Sequence, residues 1–242
     1  MKMSKHTTRT GDPAKKTIEA VLDEFLQEQR QRLKPSTTRK YEDIIELFGS
    51  FLDGYAHQSL SKRDNALLDR FYEAEGEDHW EFCQLFGPDK IPGNVSEFLN
   101  YFMIRKVMCG KELKQAAATV TKKLGKWLQA KGYITPKAAA EMVDTGAIAA
   151  KELPAAEELA WMLADYADRS TIDYDEVVED YFSIQAVEPG MLHLSGLSTD
   201  EKINTPVPQA ISDACRKGWS FSGAVAKTDK GWRILEVWNV YP

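Results

Sequence analysis

The apolar residues of this chain change period near residue 181. Before that point they recur at intervals of three and four, as in residues 41–52, where Tyr41, Ile44, Ile45, Phe48, Phe51 and Leu52 gather into one helical stripe. After it they alternate, as in YFSIQAV and MLHLSGL, which Glu188, Pro189 and Gly190 separate as a turn. A chain divided in this way is α+β, with helices first and strands last. A third strand is predicted near residues 201–207 and a short helix over 208–217, bracketed by Pro208 and Gly218. Two aromatic strands, WSFSGAVA and WRILEVWNVY, follow, joined by residues 227–231. Three strands, a helix and two strands are the order of a small β-barrel of OB-like or SH3-like type. Trp219, Phe221, Trp232 and Trp238 either fill its interior or, if they project outward, offer stacking surfaces for bases.

Two elements of the helical part carry chemistry. Pro35 cannot continue the helix before it, and Ser36 is a side-chain acceptor for the first amides of a new one. The first turn of that new helix holds Lys34, Ser36, Thr37, Thr38, Arg39 and Lys40. Hydroxyls, cations and amides at the positive end of a helix suit a phosphate. The second element covers residues 111–131, where Leu113, Ala117, Val120, Leu124, Trp127 and Leu128 form a packed face. The other face presents Lys111, Gln115, Thr119, Lys122, Lys123 and Lys126 without an interrupting acid. Such a row suits duplex DNA, because phosphates attract the lysines while Gln and Thr hydrogen-bond to the backbone or base edges. The bland alternative is a solubilising lysine face.

The Lys-Pro-Ser-Thr-Thr start, Tyr41 and the Phe48 and Phe51 pair resemble the second helix of the SAM-like, core-binding domain that precedes the catalytic domain in phage integrases and other tyrosine recombinases. IEAVLDEFLQEQRQRL upstream is similar to that family's first helix, and residues 95–133 to its last two. The resemblance covers about half the chain and implies a helical domain over residues 17–134 that binds DNA, with the 36–40 turn and the lysine row side by side. It also implies a catalytic set of two arginines, a lysine, a His-x-x-Arg pair and a tyrosine, which the sequence does not reproduce. His193 is followed by Leu194, Ser195 and Gly196, and only Arg169, Arg216 and Arg233 lie beyond residue 134. Tyr241 stands near the C-terminus, but a phenol with a pKa near 10 is a poor nucleophile without an arginine cage and a proton acceptor. No Walker-type loop, HExxH, GxSxG or paired-carboxylate motif appears either, so no catalytic residue is expected.

Charge separates the regions. The net charge is -6, yet residues 1–134 hold 22 Lys and Arg against 19 Asp and Glu, residues 135–180 hold 3 against 12, and residues 181–242 hold 6 of each. The N-terminal part therefore remains eligible to dock a polyanion, and the middle does not. Residues 1–16 read as a flexible basic arm, and residues 17–134 as the integrase-like domain with an aromatic insertion around His79, Trp80, Phe82 and Phe86. Residues 135–180 read as an acidic connector of two helices, broken around Gly146, restarted at Pro154 and anchored by Trp161, Met162 and Leu163. Residues 181–242 form the barrel.

Cys83, Cys109 and Cys215 are odd in number and widely spaced, which fits neither a disulfide framework nor a zinc site. His79 and Cys83, four apart, form an isolated pair, so neither metal nor cofactor is expected. No apolar run reaches the roughly 20 residues of a membrane span, and the N-terminus lacks the apolar stretch of a secretory signal, which together predict a cytoplasmic protein without a membrane partner. The sequence thus predicts a non-catalytic, integrase-related DNA-binding protein. Its rival is an interaction protein whose C-terminal barrel binds a polypeptide.

Overall fold

A computed structural model describes residues 14, 16–107, 110–169, 173–174 and 176–242; the Lys111 side chain, Cys109 and most of the expected basic arm lie outside these residues. The chain divides into two compact units. One takes the described residues through Phe98 together with Ala116–Ala147, and the other takes Leu99–Gln115 and Ile148–Pro242.

The first unit is helical. Helices α1 (Ile18–Arg32) and α2 (Pro35–Tyr55) pack through the stripes read from the sequence, burying Ile18, Val21, Leu22, Phe25, Tyr41, Ile44, Phe48, Phe51 and Leu52. Full burial of one such aliphatic or aromatic side chain is worth about 1.5–3 kcal/mol, so these stripes are a major source of the unit's cohesion, beside Phe82, Leu85, Ile91, Phe98, Leu124 and Leu128. α3 (Lys62–Tyr72) starts where the Ser61 hydroxyl accepts from the Asp64 amide. The aromatic insertion yields only a one-turn α4 (Phe82–Leu85), with Trp80 stacked on Phe71 outside it. His79 therefore does not share a helix face with Cys83: its ring contacts the Tyr72 carbonyl oxygen at 2.8 Å, whereas the Cys83 thiol points to the Gly49 carbonyl. α5 (Val95–Glu97) continues as a π-helical turn (Phe98–Phe102) and a final turn, α6 (Met103–Arg105), where one α-helix was expected.

α7 (Lys111–Ala130) and α8 (Pro136–Asp168) follow. Gly132 at φ 75° ends α7, and the Thr135 hydroxyl accepts from the Ala138 amide, starting α8 where Thr135 and Pro136 predict. The expected break at Gly146 does not occur. A Cβ there would lie 2.6 Å from Lys122 Cγ and 2.9 Å from the Ala118 carbonyl oxygen, so Gly146 is the notch that lets α8 press against α7. Pro154 likewise sits inside α8. It removes one backbone bond, and the helix continues because Leu153, Ala156, Leu159 and Leu163 are buried around it. Residues 135–180 thus supply α8, whose buried residues are shared between both units, and the beginning of a long strand.

In the second unit β1 (Glu176–Glu188), β2 (Met191–Gly196), β3 (Lys202–Pro206), β4 (Ser220–Thr228) and β5 (Gly231–Tyr241) form one antiparallel sheet of order β3-β2-β1-β4-β5, with α9 (Gln209–Ala214) between β3 and β4. The expected barrel is not closed. β1 pairs with β4 through its first half and with β2 through its second, with a bulge between Ile184 and Ala186, and this bends the sheet. The outer strands β3 and β5 share no ladder; the Thr205 hydroxyl only donates to the Trp232 carbonyl at 3.2 Å. Leu159, Leu163 and Ala167 of α8 fill the sheet's apolar face with Phe182, Ile184, Leu194, Trp219, Phe221 and Ile234. Among the described residues no helix is long and apolar enough to cross a membrane.

Candidate nucleic-acid interface

Arg32, Lys34, Arg39 and Lys40 project from the corner between α1 and α2. α1 ends as the Leu33 amide bonds to the Gln29 carbonyl, and α2 begins two residues later with Pro35 at its first position. Ser36 does not cap this helix. Lys34 occupies the capping position without a side-chain bond, and the Thr37 and Thr38 amides both reach its carbonyl at 2.9 Å. Thr38 is buried, with its hydroxyl donating to the same carbonyl, whereas Lys34, Ser36, Thr37, Arg39 and Lys40 are exposed. Pro35 has no amide hydrogen and Thr37 and Thr38 use theirs, so the corner's polar groups are chiefly its side chains.

Sequence reasoning overlooked Arg30 and Arg32, the last basic residues of α1. From Gln29 to Tyr41 the sequence has five cations and no acid, and that acid-free run was the available signal. Both arginines have partners: Arg30 donates to Glu42 at 2.7 Å, and Arg32 to Gln29. Below the corner the character reverses. A depression of about 410 Å³ between α1 and α2 is flanked by Glu19, Asp23, Glu42, Glu46 and Asp53, which repel a polyanion.

On α7 the packed face is as predicted at Ala117, Val120, Leu124 and Leu128, but it is wider. Lys114, Ala118 and Thr121 are buried as well, and Lys122 is half-buried because its stem lies over Gly146. Thr119, Lys123 and Lys126 are exposed. So are Gln115 and, in register with them, Glu112, so the row does contain an acid at its start. Gln115 and Lys111 belong to the second unit; Thr119, Lys122, Lys123 and Lys126 belong to the first, with the α1–α2 corner.

One aromatic residue fixes both basic segments. Phe25 stacks on Tyr41 at 6.0 Å, next to Lys40, and meets Trp127 edge-on at 5.4 Å, next to Lys126. The neighbouring carboxylates are occupied internally. Glu28 accepts from the Trp127 indole at 2.7 Å and from Lys131 at 2.5 Å, and the Lys131 hydrogen bond, with that of Trp127, holds its carboxyl below the usual range. Glu24 accepts from Lys16, Tyr133 and Lys131, and these bonds, the Lys16 contact foremost, lower its pKa to about 2. Lys131 is therefore consumed by ion pairs and does not extend the row.

The second unit changes the expectation for Tyr241. The tyrosine is buried, and Arg105, from the helical half of the sequence, lies against it and donates to the Tyr181 hydroxyl at 2.5 Å. Burial, reinforced by the adjacent Tyr241, raises the Tyr181 phenol to about 12, which keeps it protonated at neutral pH. Cys215 is likewise raised to about 12 by burial. Among the described residues, His, Cys, Asp and Glu nowhere gather in a group of three or more able to hold a metal. Comparisons of the chain with protein families, with curated proteins and with solved structures find no match.

Proposed function

We propose that this chain is a non-catalytic, integrase-related protein that binds duplex DNA through the α1–α2 corner and the exposed lysines of α7. The observation that carries the reading is the Phe25 sandwich, which ties the turn bearing Arg39 and Lys40 and the turn bearing Lys123 and Lys126 to one rigid aromatic centre. Lys34, Arg39 and Lys40 engage one stretch of backbone, and Lys123 and Lys126 a neighbouring stretch. Thr119 is placed to hydrogen-bond along the same row. The acidic depression beside α2 excludes phosphate and so confines the polyanion to these two segments.

Charge reversal tests the reading. Lys123→Glu with Lys126→Glu, and Arg39→Glu separately, are measured for duplex affinity at low salt beside thermal stability. All three side chains are exposed, so stability should change by no more than about 0.5 kcal/mol. Each lost phosphate contact should reduce the salt dependence of binding by about one unit. Unchanged affinity in both variants contradicts the proposal.

A further inference from the structure

In the second unit three tyrosines converge on one arginine, an arrangement that neither the unit's core nor the DNA-binding reading requires. The turn ending in α6 lies over the polar face of the sheet, where the Asn239 amide, oriented by its neighbours, donates to the Ile104 carbonyl at 3.1 Å. Tyr101 and Arg105 are thereby brought to Tyr181 of β1 and Tyr241 of β5. The Tyr241 ring stacks on Tyr101 at 6.0 Å and meets Tyr181 at 5.7 Å. The hydroxyls of Tyr101 and Tyr241 both lie against that of Tyr181, to which Arg105 donates.

Two hydroxyls of this layer lack bonds. Tyr241 is 7% exposed, and its hydroxyl makes no well-formed hydrogen bond although Arg105 lies against it. Ser222, opposite Tyr181 on β4, is 1% exposed and its hydroxyl has no partner. Buried hydroxyls are normally paired, so two orphans beside one guanidinium mark a place built for a further polar group.

Charge and donor count select that group. Arg105 is exposed and, among the described residues, has no carboxylate partner; the groups that raise its pKa are Tyr241 first, then Tyr181 and Tyr101. Its bond to Tyr181 leaves most of its N–H donors available, and the phenols stay protonated donors at neutral pH. The adjacent Asp180 turns to the opposite face, where the Ser198 and Thr199 amides donate to it at 2.8 and 3.1 Å. Glu179 shares the face of Tyr181, but it lies about 7 Å along the strand and is exposed to solvent. Donors arriving from the π-helical turn, α6, β1 and β5 suit a tetrahedral phosphate more than a planar carboxylate.

We propose that Arg105, with the hydroxyls of Tyr101, Tyr181 and Tyr241, binds phosphate, either as the free ion or as the phosphoryl group of a mononucleotide. The guanidinium supplies the charge and the phenols fix the oxygens. This inference is independent of duplex binding at the first unit.

The test is isothermal titration calorimetry of the full chain at fixed ionic strength with sodium phosphate, adenosine 5′-monophosphate, adenosine and sodium acetate. Nuclear magnetic resonance of the ¹⁵N-labelled chain, with the Arg105 Nε–H signal assigned from Arg105→Lys, locates the site. Phosphate and the monophosphate should shift that signal saturably, while acetate should bind about tenfold more weakly and adenosine should not bind. A monophosphate that binds more tightly than phosphate identifies the nucleotide as the source, and one that binds no better identifies the free ion. Arg105→Gln should weaken phosphate about tenfold or more. Tyr241→Phe should weaken it about three- to tenfold without lowering the melting temperature, because the hydroxyl has no well-formed bond to lose. Absence of a saturable shift, equal binding of acetate and phosphate, or a phosphate response that survives Arg105→Gln and disappears in Arg39→Glu would each overturn the proposal. So would a Tyr241→Phe variant that melts lower and keeps its phosphate affinity.

Discussion

Glu24 joins three parts of the first unit at a single carboxylate. Its oxygens accept from Lys16 before α1, from Lys131 after α7 and from the Tyr133 hydroxyl, at 2.6, 3.1 and 2.7 Å. Its folded pKa of about 2 lies below the ordinary 4.5, so its contribution is fully present above the unfolded value and is lost as pH falls through the folded one. Glu24→Gln should accordingly lower the urea midpoint at pH 7, and the difference from wild type should shrink between about pH 5 and pH 2. A difference independent of pH would show that the carboxylate's charge is irrelevant. Asp180 behaves in the same direction: burial alone would raise its pKa, but the Ser198, Tyr181 and Thr199 amides together outweigh that and hold it down. At this scale the sequence is least transparent. It shows that Trp161 is large and apolar, which predicts an anchor, but whether one position of a helix faces the core depends on a neighbour hundreds of atoms away along the chain. Arg105 beside Tyr241 is invisible for the same reason.

Elements were more legible than residues, because period and capping act locally. The α1 and α2 stripes, the start of α8 and the order of the five strands follow from apolar spacing and turn chemistry, although β1 begins at Glu176, inside the stretch expected to be helical connector. The failures come from tertiary packing overriding propensity. Gly146 reads as a breaker in isolation but serves as the contact point where α8 meets Ala118 and Lys122, and Gly125 plays the matching part against Met142. Closure of a barrel is set by bends and edge geometry that alternation does not encode. Gly146→Ala should therefore destabilise the protein by about 1–2 kcal/mol, the overpacking outweighing the gain in helix propensity. Gly49→Ala in α2 is the control: a Cβ there meets no atom within 4 Å, so it should stabilise by about 0.5–1 kcal/mol. Chemical denaturation of both variants measures the contrast. A stabilising Gly146→Ala would remove the account of α8 as one helix notched against α7.

For the whole molecule the decisive property is the division of charge. The total of -6 argues against nucleic acid, whereas the acid-free run from Gln29 to Tyr41 and the exposed Lys123 and Lys126 supply a local positive field within the first unit. The candidate site was partly legible, since Lys34, Arg39, Lys40, Lys123 and Lys126 are exposed as the helical wheel requires. Lys122 departs from this because α7 is buried on a broader face than its apolar stripe, and the exposed Glu112 puts an acid in a row expected to hold none. The direct test is the affinity of the full chain for duplex DNA as a function of salt. Five engaged cations, Lys34, Arg39, Lys40, Lys123 and Lys126, give a slope of log affinity against log salt of about -4 to -5, a loss of about five-hundredfold between roughly 50 and 200 mM. No binding at the lowest salt, or a change of less than about threefold over that range, would contradict the DNA-binding account.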